Sequence, residues 1–445
     1  MKPLLEDAAR RAAEYLASLP SRHVAPRPEA VRALSALDVA LQEESLDPRS
    51  VLAELDEIVT PATMAMAGPR FFGFVIGGSL PAALAANWLA GAWDQNAGMY
   101  SVTPGVAHLE QVVLRWLNAL FGLPEGTTGA FVTGATMANF TALAAARHAV
   151  LKRAGWDVEA DGLFGAPPVT VIVGDEVHIS VLKALGMLGL GRNRVVRVPV
   201  DEQGRMKAGE LPPIDGPTIV CVQAGNVNSG AFDPIAQVCE QAHDAGAWVH
   251  VDSAFGLWAK ASPRYAPLVA GVELADSWST DAHKWLNVPY DSGIALVRDP
   301  EALAAAMAVR AAYIPDAQAE RNPFDYTPEF SRRARGVEVW AALRSLGRSG
   351  VAALVERDCA AAQRFAQLLA AAGCEILNDV VLNQVLVSFG RAQETERVIA
   401  AVQAEGTCWV GGTVWQERTA MRISVCSWAT TEADVDASVA AMLRA

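Results

Sequence analysis

Apolar and polar residues alternate in blocks along the chain from about residue 129 onward. Short, near-continuously apolar runs are separated by longer helical patterns such as ISVLKALGMLGLG and IAQVCEQAHDAG. Continuous apolar runs are typical of strands that are covered on both faces. The pattern therefore predicts a mostly parallel sheet with crossover helices. The predicted strands are GAFVTG, VTVIVGD, RVVRVPVD, TIVCVQAG, AWVHVDSA, DSWST and GIALVRD.

The end of the chain repeats this alternation on a smaller scale. A polar, proline-containing stretch over 312–331 interrupts the pattern, and helices resume at GVEVWAALRSLG. The apolar runs VLNQVLVSFG and AMRISVCSW bracket a helix, and Thr430 or Thr431 caps a final one. We expect an N-terminal helical segment over 1–60, a large domain over 61–310, and a loop with a small C-terminal α/β domain over 311–445.

One stretch is long and apolar enough to raise the question of a membrane span. Residues 71–93, FFGFVIGGSLPAALAANWLAGAW, carry no charge. Small and polar residues fill much of this stretch, and large aliphatic residues are few, so its hydropathy argues against a span. We interpret it as a buried loop and helix in a core or a subunit interface.

Composition narrows the class of protein. With 52% hydrophobic and 19% charged residues, the chain is typical of globular proteins. The formal net charge of −13, without a long basic run, argues against binding to nucleic acid or to an anionic membrane. The six cysteines form no CxxC pair and no metal-ligand spacing, so no metal is expected. Reduced cysteines and the lack of an apolar leader pattern favour a cytoplasmic location.

Polar residues gather where the predicted strands end. In an open α/β sheet, ligands bind at the carboxyl ends of the strands, so these residues are candidates for chemistry. The five sets are Thr133–Thr136, Asp175–His178, Gly225–Asn226, His250–Ser253 and Asp281–Lys284.

Four of these sets together suggest a cofactor. A helix start at TGAT suits a phosphate, although this motif alone is weak evidence. A lone strand-end aspartate such as Asp252 is usually structural, but Lys284 follows at a neighbouring strand end and His178 at another. An acid for a ring nitrogen, an imine-forming lysine and a phosphate site indicate pyridoxal phosphate.

The motifs TGATMAN, GDEVHIS, HVDSAFG and STDAHKWLNVPYDSG, in this order, resemble the group II pyridoxal-phosphate-dependent amino-acid decarboxylases. These are relatives of the aromatic-L-amino-acid and glutamate decarboxylases. The resemblance extends from PRFFGFV to RISVCSWATTEADVD and covers most of the chain. It implies the aspartate-aminotransferase-like fold of fold-type I enzymes. That fold has a large domain with a mostly parallel seven-stranded sheet and a small C-terminal α/β domain.

The resemblance implies roles for four residues around the cofactor ring. Lys284 would form the imine with the cofactor aldehyde and later handle protons. Asp252 would pair with the pyridine nitrogen. His178 would stack on one ring face and meet the substrate carboxylate, while Ala254 would pack against the other face.

The phosphate and the ring oxygen are the remaining contacts that the resemblance implies. Ala135 and Thr136 would hold the phosphate, and His283 would close that site. Two positions depart from the family's pattern. Asn226 stands in place of a threonine-containing turn, and could still donate to the ring oxygen. Asp281 stands where some relatives carry asparagine, so it would accept backbone N–H groups or orient His283.

The proton donor and the substrate pocket are less well defined. Relatives commonly protonate the product carbon with a tyrosine on a mobile loop, and Tyr326 is favoured over Tyr313 for that role. Arg335 and Arg422 are candidates for carboxylate or interface contacts, although surface or structural roles fit them equally well. The aromatic residues of PRFFGF, with Trp93 and Tyr100, suit an aromatic or bulky apolar substrate.

We therefore expect decarboxylation of an L-amino acid to its amine and CO₂, in a homodimer with active sites at the subunit interface. Two alternatives keep the same scaffold, because a fold does not fix its chemistry. One is a carbon–carbon lyase similar to the sphingosine-phosphate lyases, and the other is an aldehyde-forming decarboxylase. A non-catalytic binding protein is a third reading, against which the intact Asp252, His178 and Lys284 argue.

Overall fold

The computed structural model describes residues 1–309 and 320–445. These residues form two compact units. The larger unit comprises Ser79–Ala360 and Asn378–Gln384, and the smaller unit comprises Met1–Gly78, Ala361–Leu377 and Val385–Ala445. The expected segment boundaries at residues 60 and 310 stay a prediction, because the units follow packing and draw on separated stretches of chain.

The helices and strands have the following bounds. The helices are α1 (Lys2–Ser18), α2 (Pro28–Ala33), α3 (Pro48–Val59), α4 (Pro81–Trp93), α5 (Pro104–Phe121), α6 (Ala135–Arg153), α7 (Val158–Asp161), α8 (Ile179–Met187), α9 (Ile235–Asp244), α10 (Pro300–Met307), α11 (Gly336–Ala371, with a break at Gly347), α12 (Ala392–Glu405) and α13 (Glu432–Arg444). The strands are β1 (Thr128–Val132), β2 (Thr170–Gly174), β3 (Val196–Val198), β4 (Thr218–Gln223), β5 (Trp248–Asp252), β6 (Ser277–Asp281), β7 (Gly293–Val297), β8 (Glu375–Ile376), β9 (Gln384–Ser388), β10 (Gly411–Trp415) and β11 (Arg418–Ser424).

Strands β1 to β7 form one sheet in the larger unit, in the order β1-β7-β6-β5-β4-β2-β3. Strand β7 runs antiparallel to both of its neighbours, and the other pairs are parallel. The predicted α/β fold with a mostly parallel seven-stranded sheet is confirmed. Every residue of β4 to β7 is buried, which explains why β4, β5 and β7 are rich in apolar residues. Strand β6 is different, because four of its five buried residues are polar.

Helix α6 covers one face of this sheet with an alanine-rich side. Ala142, Ala145 and Ala146 are buried in a cluster that also contains Ile219 of β4 and Trp248 of β5. Small side chains allow the helix backbone to approach the strands closely. As a result, a polar side chain on α6 can reach the strand residues beneath it.

The start of α6 is fixed by a close contact between two glycines. A Cβ atom added to Gly293, the first residue of β7, would lie 2.4 Å from the Cα of Gly134. Such a distance is far below van der Waals contact, so only glycine fits at Gly293. The N-terminus of α6 is thereby held beside the end of β6.

The smaller unit contains a second sheet in the order β10-β11-β9-β8. Helix α12 packs against β11 and α13. The side chain of Thr431 accepts a hydrogen bond from the backbone N–H of Asp434, which confirms one of the two predicted caps of α13. Helices α1, α2 and α3 contain no buried residue, and several of their apolar side chains are exposed in the single chain, among them Leu5, Val31 and Leu55.

The charge-free stretch over 71–93 ends in helix α4. Ala83 and Ala90 are buried, but Trp88, Leu89 and Trp93 are 46%, 54% and 47% exposed. No described residue covers this side of α4, so these side chains are not part of a core of the single chain, and the alternative of a subunit interface stays a prediction. Over 1–309 and 320–445, no helix is both long enough and apolar enough to cross a membrane.

Candidate active site

Asp252 ends strand β5, where it is only 5% exposed. Its Oδ2 atom lies 3.3 Å from Asn139 Nδ2 and 3.4 Å from Ser180 Oγ. Its Oδ1 atom lies 3.4 Å from the hydroxyl of Ser279. A buried carboxylate is costly without hydrogen bonds, and three rather long ones leave it with accepting capacity. Sequence reasoning missed Asn139, although it lies in the motif TGATMAN one helical turn after the start of α6.

The hydroxyl group of Ser180 lies between His178 and Asp252. His178 is the N-cap residue of α8, and its Nδ1 accepts a hydrogen bond from the backbone N–H of Ser180 at 3.2 Å. The Oγ atom of Ser180 lies 2.6 Å from the same Nδ1. Because Nδ1 accepts from a backbone donor, the neutral ring carries its proton on Nε2. The single proton of the Ser180 hydroxyl can be donated either to Nδ1 or to Asp252 Oδ2, so these contacts place the His178 ring beside Asp252 without a continuous hydrogen bond between the two.

Lys284 follows the end of β6 and forms an ion pair with Asp281. The Nζ atom lies 2.8 Å from Asp281 Oδ2, and Asp281 is 1% exposed. The second carboxylate oxygen, Oδ1, has no hydrogen-bond partner among the described residues and lies 3.5 Å from His283 Nε2. Of the two expected roles for Asp281, the structure thus places it within reach of His283, and it adds the contact with Lys284.

His283 is held in one orientation by its neighbours. The backbone N–H of Ser292 donates to Nδ1 at 3.0 Å, and the Tyr290 ring stacks on the imidazole with centroids 4.3 Å apart. Burial lowers the pKa of His283 below its ordinary value. The ring is therefore neutral at neutral pH, with its proton on Nε2, on the side that faces Asp281.

The N-terminus of α6 lies against these side chains. A Cβ atom at Gly134 would lie 3.1 Å from His283 Cε1 and 3.6 Å from Asp281 Oδ1. Ala135 and Thr136 form the first turn, whose backbone N–H groups have no partner within the helix. The helix dipole makes this end attractive to a negatively charged group.

Two further predicted residues lie at neighbouring strand ends. Asn226 follows β4 and is 2% exposed; its Oδ1 accepts from the backbone N–H groups of Asn228 and Ser229, while its Nδ2 donor has no partner among the described residues. Ala254 follows β5, and its carbonyl accepts from the backbone N–H of Asp281 at 2.8 Å. An unsatisfied buried amide donor costs free energy unless an acceptor approaches it.

The residue after the lysine is anchored to helix α11. The indole N–H of Trp285 donates to Asp358 Oδ2 at 2.8 Å, and both side chains are buried. Burial raises the pKa of Asp358 to about 7. Sequence reasoning missed this contact, because Asp358 appears as an ordinary charged residue in a helix pattern.

The structure places Tyr326 in a core, in the 3₁₀ turn Pro323–Tyr326. Its ring packs against β1, β7 and α6, and the guanidinium carbon of Arg321 lies 3.9 Å from the ring centroid. These contacts anchor the ring. Tyr313 lies outside the described residues, so the choice between the two tyrosines stays a prediction.

The other predicted pocket residues are spread over both units. Arg335 lies in the larger unit and is paired through Nε with Asp291 Oδ1 at 2.8 Å. The backbone N–H of Tyr100 donates to Asn322 Oδ1 at 3.0 Å, and Trp93 is exposed at the end of α4. Residues 69–74 and Arg422 belong to the smaller unit. There the Phe71 ring stacks on Trp409 with centroids 5.0 Å apart.

Comparison with known proteins gives one family match and many similar chains. The pyridoxal-dependent decarboxylase conserved domain matches residues 28–390. The aromatic-L-amino-acid decarboxylase of Bacillus atrophaeus is 29% identical over 323 residues, which cover 70% of this chain and 65% of that protein. The 4-hydroxyphenylacetaldehyde synthase of Rhodiola rosea is 25% identical over 337 residues, which cover 72% of this chain and 67% of that protein. The chain thus spans slightly less than two thirds of the first of these relatives.

The fold comparison agrees over the whole chain. A crystal structure of Oryza sativa TDC with PLP and tryptamine superposes with a TM-score of 0.91, covering 100% of this chain and 96% of that chain. Its sequence identity is 23%, so this likeness shows the fold alone.

Proposed function

The chain belongs to the pyridoxal-dependent decarboxylase family, and from this premise we propose that it removes CO₂ from an L-amino acid and releases the amine. One observation carries the proposal. Lys284 and Asp252 lie at the carboxyl ends of neighbouring strands in one compact unit, and the hydroxyl of Ser180 lies between Asp252 and His178.

Pyridoxal phosphate is the cofactor of this family, and the donors and acceptors at the site fit it. Asp252 offers a buried acceptor for a protonated ring nitrogen, and Asn226 Nδ2 is a buried donor without a partner, suited to a ring oxygen. The first turn of α6 offers backbone N–H groups to a phosphate. Lys284 supplies the amine that would hold the aldehyde carbon. When bound, the cofactor supplies an electron sink for the bond that breaks at Cα.

The chain's own residues would divide the work as follows. Asp252 would accept the ring N–H and stabilise the positive charge of the ring, which would strengthen its pull on electrons. His178 and Ala254 would hold the ring between them, and the Nε2–H of His178 would donate to the substrate. The amine of Lys284 would hold a proton that it could deliver near Cα.

An aromatic or bulky apolar amino acid is the proposed substrate class. Its support is the relative that is an aromatic-L-amino-acid decarboxylase, together with the aromatic residues that the resemblance assigns to the pocket. An aldehyde-forming reaction is a second candidate, because one relative is a 4-hydroxyphenylacetaldehyde synthase. The sphingosine-phosphate-lyase-like alternative stays a prediction.

The test is release of CO₂ from a panel of L-amino acids by the pyridoxal-loaded protein, with aromatic ones first. Amine production with CO₂ supports the proposal, whereas peroxide and ammonia with CO₂ indicate the aldehyde-forming alternative. Lys284→Ala should abolish CO₂ release and also the imine absorbance of the purified protein. No CO₂ from any member of the panel would refute the proposal.

A homodimer and a cytoplasmic location belong to the same proposal. The exposed aromatic side of α4 and the unburied helices α1 to α3 support a second copy as the partner. Light scattering of the purified protein would test the dimer, and cell fractionation would test the location.

A further inference from the structure

A continuous hydrogen-bonded chain of side chains runs from Asp252 into the core of the larger unit. Asn139 Nδ2 lies 3.3 Å from Asp252 Oδ2, and Asn139 Oδ1 lies 2.9 Å from His250 Nε2. His250 Nδ1 lies 2.9 Å from Ser277 Oγ, which also accepts from Trp248 Nε1 at 2.9 Å. We call Asn139, His250, Ser277 and Trp248 the Asp252 relay.

The fold explains why these residues meet. Trp248, His250 and Asp252 alternate along β5 and therefore point to the same face of the sheet. Ser277 of β6 is the register partner of His250, and helix α6 lays Asn139 over them. Apart from Asp252, which is 5% exposed, every member is at most 1% exposed, so water cannot substitute for a lost partner.

The two ends of the chain fix the direction of every hydrogen bond. An ionised Asp252 can only accept, so the amide of Asn139 must donate to it and its oxygen must accept from His250 Nε2–H. The indole of Trp248 can only donate, so Ser277 accepts from it and donates its own proton to His250 Nδ1. His250 meets both requirements in the neutral form that carries its proton on Nε2, because this form donates to Asn139 and accepts from Ser277.

The burial of His250 supports this assignment. Burial lowers the pKa of His250 to about 4, so the ring is neutral at neutral pH. A protonated His250 would carry hydrogen on both nitrogens, and the Ser277 hydroxyl could no longer donate to it. The amide nitrogen of Asn139 carries two N–H groups and lies 3.3 Å from Asp252 Oδ2 and 3.2 Å from Ser180 Oγ, so every hydrogen-bonding atom of these side chains is satisfied when Asp252 is an acceptor at the end of the chain.

We propose that Asn139, His250 and Ser277 are positioning residues that hold Asp252 as a fixed acceptor for the ring N–H of pyridoxal phosphate. The inference deepens the proposed function, on which it rests for the identity of the ligand. Asn139 orients the carboxylate, His250 orients Asn139, and Ser277 selects the tautomer of His250. None of the three contacts Lys284 in the described structure, so none is a catalytic residue.

The experiment measures binding rather than turnover. Two ligands are titrated into cofactor-free protein: pyridoxal phosphate and its 1-deaza analogue, in which a C–H group replaces the ring nitrogen. Asn139→Leu removes one donor to the carboxylate, so we expect pyridoxal phosphate to bind about tenfold more weakly or worse. The analogue cannot donate to Asp252, so its affinity should change by less than about twofold.

His250 supplies a matched pair of variants. His250→Gln keeps a donor for Asn139 and an acceptor for Ser277, whereas His250→Leu removes both. We expect the glutamine variant to retain most of the preference for pyridoxal phosphate over the analogue, and the leucine variant to lose it. Thr141→Val is the control, because Thr141 is equally buried on α6 but bonds only to the carbonyl of Met137.

The outcomes separate positioning from packing. An equal loss of affinity for both ligands, or no loss for either, would overturn the proposal. If Asn139→Leu fails to fold, Ser277→Ala tests the same relay from its far end. This variant should also reduce the preference for pyridoxal phosphate over the 1-deaza analogue. Failure of the decarboxylation proposal would appear as absent CO₂ release with ligand binding intact, so the two failures are distinguishable.

Discussion

Asp358→Asn measures the free-energy cost of a negative charge on the buried Asp358 side chain. This side chain accepts a hydrogen bond from Trp285, the residue after Lys284. Burial raises the pKa of Asp358 to about 7 from an ordinary value of 3.8. The folded state therefore holds this proton more tightly than the unfolded state does. The penalty is absent below about pH 4, grows as pH rises, and is complete above about pH 7. The gap between the two pKa values corresponds to roughly 4 kcal/mol at high pH.

The substitution removes this penalty and introduces a smaller cost. The amide oxygen of asparagine can still accept from Trp285, but its NH₂ group would take the place of Oδ1, which has no hydrogen-bond partner. That buried donor costs about 1–3 kcal/mol at every pH. Because this cost is the same at every pH, it cancels when the stability difference between variant and parent is compared at two pH values. From about pH 5 to about pH 8, the variant should gain roughly 2–3 kcal/mol relative to the parent protein.

The assay is urea unfolding of the cofactor-free protein at both pH values and one protein concentration, followed by tryptophan fluorescence. Asp201→Asn in the same unit is the control. Burial raises the pKa of Asp201, but hydrogen bonds from the backbone and side chain of Arg205 and from the Gln203 N–H outweigh this and lower it overall. Because this pKa lies below the ordinary value of 3.8, Asp201 is ionised at both pH values. The Asp201→Asn control should therefore be destabilised by the same amount at both. An Asp358→Asn effect that is the same at both would refute the reasoning.

Three further changes have defined outcomes. Asp281→Asn removes the carboxylate 2.8 Å from Lys284 Nζ, so the cofactor-free protein should lose about 1–3 kcal/mol of stability in urea unfolding, and an unchanged midpoint would contradict the ion pair. Gly293→Ala forces a Cβ atom against the backbone of Gly134 and should cost about 3 kcal/mol, with weaker cofactor binding; a variant as stable as the parent would contradict the close contact. Cys374 alone among the six cysteines is not fully buried, so Ellman's reagent should react with it first, and a fast phase that survives Cys374→Ser would exclude this assignment.

Much of the large sheet could be predicted from the sequence because its strands are buried on both faces. Six of the seven strands lie in local apolar runs, whereas β6 is a short run of small polar residues around Trp278, and helix α6 appears as an alanine-rich pattern between β1 and β2. Strands β8 and β10 were missed for a local reason. The first has two residues, and the second begins with two glycines and has exposed positions, so neither produces a strand pattern.

The residues of the candidate site also differ in whether the sequence alone reveals them. The rule that ligands bind at the carboxyl ends of strands was enough to collect His178, Asp252 and Lys284 from the sequence. It could not find Asn139, His250 and Ser277 as a group. Asn139 and His250 are separated by 111 positions, and each alone is an ordinary residue in a helix or strand.

The sequence by itself determined most of the helices and strands, because the periods of strands and helices are local properties of the chain. Only the tertiary structure decided which side chains meet. Whether Asn139 reaches Asp252, or His250 meets Ser277, depends on strand order and on how closely α6 approaches the sheet. Those quantities are set by packing among residues far apart in sequence, so no local pattern contains them.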